Sequence, residues 1–135
     1  MEIFSLRRLV LIFKKYRKID LIIFIYEWFF FYLLRIISTS FFYLKCKVYG
    51  IVIGRGSKVW GKVTFRKYPG STISIDNNVY IISSPLRYSF NIYPLTKLQT
   101  LSKSAEIKIG KNVAFNSLTI LARSTTISIG DGTLI

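Results

Sequence analysis

The spacing of apolar residues along the chain changes character once. In residues 3–19 a helical wheel puts Arg7, Arg8, Lys14, Lys15 and Lys18 on one side. Leu6, Leu9, Ile12, Phe13, Tyr16 and Ile19 fall on the other, with Phe4 and Leu11 among the basic residues. That pattern predicts an amphipathic helix. Residues 21–44 are more apolar still, from Leu21 through Tyr26 and Trp28 through Leu34, interrupted by Glu27 and Arg35. From Ile51 onward short aliphatic pairs alternate with Gly, Ser, Thr, Asn and Asp, the pattern of strands joined by tight turns. The change falls near Lys47–Gly50. It divides the chain into an N-terminal basic, aromatic helical segment, residues 1–48, and a strand-rich domain, residues 49–135.

The second domain repeats itself. Ile51-Val52-Ile53-Gly54-Arg55-Gly56-Ser57 is followed by Ile73-Ser74-Ile75-Asp76-Asn77-Asn78-Val79. Ile107-Lys108-Ile109-Gly110-Lys111-Asn112-Val113 and Ile127-Ser128-Ile129-Gly130-Asp131-Gly132-Thr133 complete the set. Copies beginning at 51, 73, 107 and 127 lie 22, 34 and 20 residues apart. The long interval holds residues 84–104, which contain two of the three prolines and no repeat unit, and is read as a loop inserted into one coil.

A shorter period runs inside each interval. Large apolar residues recur every sixth position at Ile53, Val59 and Phe65, at Ile75 and Ile81, at Ile109, Phe115 and Leu121, and at Ile129 and Ile135. Ser57, Val63, Val79, Val113, Thr119, Thr125 and Thr133 follow four residues behind a member of each series. Six residues make a short strand and a corner. Three such sides close a triangular coil of about eighteen residues, and successive coils stack through parallel ladders. An ordinary sandwich would explain the alternation but not the recurring Ile-x-Ile-Gly/Asp unit.

Composition narrows the chemistry. The chain carries 20 Lys and Arg against 6 Asp and Glu, a net charge of +14. This favours an anionic membrane face, a phosphorylated cofactor or nucleic acid as partner, or serves only solubility. The aromatics cluster in the N-terminal helical segment rather than along a basic strand face, so nucleic acid fits poorly. No histidine is present. That excludes histidine-ligated zinc and histidine general-base chemistry within these residues. Cys46 is the only cysteine, so no internal disulfide can form, as suits a reducing compartment. Gly54-Arg55-Gly56-Ser57-Lys58 lacks the spacing of a phosphate loop.

Residues 1–44 fit three arrangements: helices lying in a membrane interface, helices packed on the repeat domain, or a membrane span. Glu27, near the middle of the only candidate span, weighs against the last. The absence of a small-x-small cleavage site after the apolar stretch argues against a signal peptide.

Ile109-Gly110-Lys111-Asn112-Val113, Thr119-Ile120-Leu121-Ala122-Arg123-Ser124 and Ile127 to Ile135 together resemble the hexapeptide-repeat acyltransferases. The nearest likeness is to sugar and polysaccharide O-acetyltransferases of the colanic-acid, lipopolysaccharide and maltose types. It covers about residues 40–135 and is most specific in 105–135. It implies a left-handed parallel β-helix of about three coils. It also implies acetyl-CoA as acyl donor, a sugar or surface-polysaccharide hydroxyl as acceptor, homotrimers with active sites between neighbouring β-helices, and a cytoplasmic location at the inner face of the membrane. Asn116 and Ser117 match positions where relatives present polar side chains to acceptor or acetyl group; the alternative is a corner turn at Asn116 and a solvent-facing Ser117. The family's general-base histidine follows the segment matching Ile129–Ile135. The sequence is therefore expected to be a C-terminally truncated, inactive form of such an enzyme, or a non-catalytic β-helix scaffold at the membrane.

Overall fold

The computed structural model describes residues 17–85 and 95–135. Among these, one helix, α1 (Lys18–Val48), precedes ten short strands. They are β1 (Val52–Ile53), β2 (Lys58–Gly61), β3 (Thr64–Arg66), β4 (Thr72–Ile75) and β5 (Tyr80–Ser83), then β6 (Lys97–Thr100), β7 (Glu106–Ile109), β8 (Ala114–Asn116), β9 (Thr119–Ala122) and β10 (Thr126–Ile129). The amphipathic helix expected over 3–19 lies almost wholly outside the described residues; Lys18 and Ile19 open α1. The chain forms two compact units, Met1–Leu33 and Leu34–Ile135, divided within α1.

In the first unit the described turns of α1 are largely apolar, with Lys18, Asp20 and Glu27 as their charged residues. Ile22, Phe24, Tyr26, Trp28 and Phe29 are each more than half exposed, and Leu21 is buried. Rings at i and i+4 stack along the helix, Trp28 on Tyr32 at 5.6 Å and Tyr26 on Phe30 at 6.4 Å. By length and composition α1 could cross a membrane.

In the second unit every third strand joins one sheet. The orders are β1-β4-β7-β10, β2-β5-β8 and β3-β6-β9, and all pairings are parallel. The chain therefore winds through three faces per turn and returns one ladder step higher, a parallel β-helix-like stack. Register keeps chemically similar residues in columns. Ile53, Ile75, Ile109 and Ile129 align, as do Val59, Ile81 and Phe115, and Phe65, Leu98 and Ile120. Alternation turns these inward, and Ile73, Ile81, Leu98 and Ile107 are fully buried. Burying one such side chain stabilises the fold by about 1.5–3 kcal/mol, so the columns supply most of the core's driving force.

Two expectations from sequence need correcting. Residues 84–104 are not all insertion, because Lys97–Thr100 forms β6, the third side of the second coil, between β3 and β9. Thr96, Leu98 and Thr100 are buried there. The extra residues lie between Ser83 and Leu95, and 86–94 fall outside the described residues. Leu121 does not continue the Ile109–Phe115 series either. It is exposed, and Ile120 takes the inward place beside Leu98. The corner after β8 is one residue shorter than the corner after β2, which brings Leu118 rather than Thr119 level with Val63 and Thr96.

The last four turns of α1 close one end of the stack. Phe42 and Cys46 are buried in the core, with the Phe42 ring 5.7 Å from that of Phe65. β1 and β2 pair on one side only, so their other edge offers unpaired backbone groups. Side chains from the helix meet that edge. The Val59 N–H donates to Thr39 Oγ1 at 3.0 Å, and the Thr39 hydroxyl donates back to the Val59 carbonyl at 3.3 Å. The Gly61 N–H donates to Ser38 Oγ, and the Ser57 N–H to Tyr43 Oη. The Tyr43 hydroxyl donates to the Gly54 carbonyl, and Lys45 Nζ to the Val63 carbonyl.

Candidate functional site

Asn116 ends β8, and its register partner is Ile82, itself paired with Trp60. The three occupy the outward side of the second sheet, each half-buried. Ser117 follows at the corner with φ +45°, next to the level where Gly61 adopts φ +89°. Its N–H donates to the Ile82 carbonyl at 3.0 Å. The fold thus brings the two sequence-predicted residues together at one strand end. Ser117 has a backbone task there, since its left-handed conformation turns the shortened corner. Both side chains can hydrogen-bond a hydroxyl or an acyl carbonyl. Neither can take a proton from a sugar hydroxyl near neutral pH.

The turn residues of the repeat are occupied in stacking. Gly56, Asn78, Asn112 and Gly132 form a column with φ +77°, +57°, +55° and +70°. Asn77 Oδ1 accepts from the Arg55 N–H and Asp131 Oδ1 from the Lys111 N–H, both at 2.7 Å. Asn78 Nδ2 donates to Asn112 Oδ1 at 3.4 Å. Gly54 is small for the same reason, because a Cβ there would lie 2.5 Å from the Asn77 backbone nitrogen. The Gly-Lys-Asn and Gly-Asp-Gly turns therefore join one coil to the next.

Among the described residues, the two groups with a displaced titration are poor candidates for a general base or nucleophile. Glu106 lies 3.0 Å from Lys108 Nζ, and this hydrogen-bonded ammonium, with the Thr126 hydroxyl, holds the carboxyl below its ordinary range. The Cys46 thiol is pushed up to about 12 by burial, the reverse of what a nucleophilic thiolate needs. Among the described residues no group of three or more His, Cys, Asp or Glu could hold a metal ion.

Charge is distributed unevenly, which the whole-chain total concealed. Residues 34–75 include Arg35, Lys45, Lys47, Arg55, Lys58, Lys62, Arg66 and Lys67 and no acid. Against this end of the stack lies a groove of about 460 Å³ between α1 and the first coil. Ile37, Phe41, Phe42 and Val63 line it with Lys45 and Lys62. Ser38-Thr39-Ser40, three consecutive hydroxyl side chains in a mostly apolar helix, is the sequence signal that could have located the capped end.

Compared with family models, curated proteins and solved structures, the chain matches none of them.

Proposed function

We propose that the chain is a left-handed β-helix of the hexapeptide-repeat type, serving acetyl-CoA-dependent O-acetylation of a sugar or surface-polysaccharide precursor at the cytoplasmic face of a membrane. The observation that carries this reading is the Ile-x-Ile-Gly/Asp unit recurring in register on one of three parallel sheets. In this reading the stack is a rigid frame whose corners present short polar side chains, Asn116 and Ser117 among them, to acceptor or acetyl group. Basic residues attract the phosphates of CoA. Stacks associate as trimers, with acceptor sites in the grooves between them. The general base is not among these 135 residues, which contain no histidine.

Calorimetric titration with acetyl-CoA, alongside a transfer assay on sugar acceptors, tests the proposal. Saturable acetyl-CoA binding without turnover is expected. Absence of binding would sink the acyltransferase reading, and turnover above background would contradict the absence of a general base from these residues. A second reading, a non-catalytic scaffold at the membrane, is favoured by the missing histidine together with the exposed apolar turns of α1. Vesicle association without acetyl-CoA binding would support it.

A further inference from the structure

The outward side of α1 in the second unit is as apolar as its inward side. Ile37, Phe41, Leu44 and Val48 are exposed at 56%, 57%, 57% and 75%. Their spacing puts them on one helical stripe, opposite the face that carries Thr39, Phe42 and Cys46. A contiguous apolar stripe of this kind on a protein surface marks an interaction site. Ile37 and Phe41 also line the groove between α1 and the first coil, and Lys45 and Lys62 are its cations.

Lys45 is held in place there. Its amine donates to the Val63 carbonyl at 3.2 Å and sits 5.2 Å from the Phe41 ring centroid. An ammonium has three protons to donate, so one hydrogen bond to a carbonyl leaves donors for an anion. No acid occurs from residue 34 to residue 75, and among the described residues neither Lys45 nor Lys62 is in an ion pair. Apolar walls next to the held ammonium of Lys45 and the exposed one of Lys62 suit a ligand that joins a phosphate to hydrocarbon chains.

We propose that this groove seats an anionic phospholipid of a bilayer. The phosphate meets Lys45 and Lys62, and an acyl chain lies along Ile37 and Phe41. Charge complementarity selects this occupant. An apolar peptide or a second copy of the chain would bury the same stripe but would bring this strongly basic surface against no matching negative charge. The described turns of α1 in the first unit expose Ile22, Phe24, Trp28 and Phe29, which independently suits a lipid environment.

The test is native mass spectrometry of the full chain in non-ionic detergent with phosphatidylserine or phosphatidylcholine added. Phosphatidylserine is expected to be retained about tenfold better, following the attraction of basic residues to anionic lipid. Lys45→Gln/Lys62→Gln is expected to abolish the preference, and Lys62→Gln alone, which leaves the Val63 contact intact, to reduce it severalfold. Lys103→Gln/Lys111→Gln, an equal charge change outside the groove, is expected to leave it unchanged, and excess inorganic phosphate is expected not to displace the lipid. Equal retention of the two lipids overturns the proposal, as does a preference that survives Lys45→Gln/Lys62→Gln. Equal loss in the control pair, displacement by phosphate, or a lipid-free dimer would overturn it too.

Discussion

Thr39 meets Val59 through both of its hydroxyl roles, accepting from the N–H at 3.0 Å and donating to the carbonyl at 3.3 Å. One side-chain oxygen thereby does for β2 what a neighbouring strand would do with two backbone groups. Ser38 Oγ accepts from the Gly61 N–H, and the Tyr43 hydroxyl accepts from the Ser57 N–H while donating to the Gly54 carbonyl. Thr39→Val keeps the shape and removes both bonds, leaving edge groups unsatisfied. A loss of about 2 kcal/mol is expected in denaturant unfolding, whereas exposed Ser40→Ala should change stability by less than about 0.5 kcal/mol.

Phe42 fills the end of the core that Thr39 borders. It is 2% exposed and packs on Phe65, while Leu44 on the opposite side of the helix is 57% exposed. Phe42→Ala opens a cavity and is expected to cost about 3–5 kcal/mol. Leu44→Ala should leave unfolding midpoints nearly unchanged. Equal effects would contradict the difference between the two faces of α1, and a reversed order would mean that they are assigned the wrong way round.

Cys46 gives a pH-dependent signature. Burial raises its thiol from the ordinary 9.0 to about 12. The unfolded chain loses this proton first, so the thiol's contribution to stability is full below pH 9 and declines as pH rises toward 12. Comparing wild type with Cys46→Ala isolates this from the lysines, and the difference should shrink or reverse across that window. In native protein at pH 8 the thiol should resist alkylation, and denaturant should expose it.

Thr96 stands in the column of Val63 and Leu118, fully buried, and its hydroxyl has no hydrogen-bond partner among the described residues. Replacing it with Val keeps the methyl packing and removes an unsatisfied polar atom. Thr96→Val is expected to stabilise the protein by about 1 kcal/mol, read as a raised unfolding midpoint.

The first sheet could be read from sequence because its inward residues are pairs of Ile followed by a turn that only Gly, Asn or Asp accommodates. The third sheet was obscure for a physical reason. Thr96, just before β6, and Thr100 within it are buried on either side of Leu98, and buried threonines, of which Thr100 pairs with Ser71 at 2.6 Å, look like loop residues in a one-dimensional pattern. Ile120 and Leu121 are both aliphatic, and only the backbone turn at Ser117 decides which faces inward. Asn116 and Ser117 stand out only through the family resemblance, and their nearness at one corner brings two polar side chains together without supplying a base. The cap was hidden because hydroxyls at 38, 39 and 43 gain meaning only once the edge of the first coil is known.

The central claim is that residues far apart in sequence stand one ladder step apart, about 4.8 Å, in a single column. Nitroxide labels on Ser74 and Ser128, in a Cys46→Ala background, test it directly. Ser74 and Ser128 both align with Lys108, two steps apart and on the outward side of the first sheet. Strong dipolar broadening in the frozen spectrum is expected, and it should persist when the pair is moved to Thr72 and Thr126. A spectrum equal to the sum of the two singly labelled proteins would contradict the stacked-coil account.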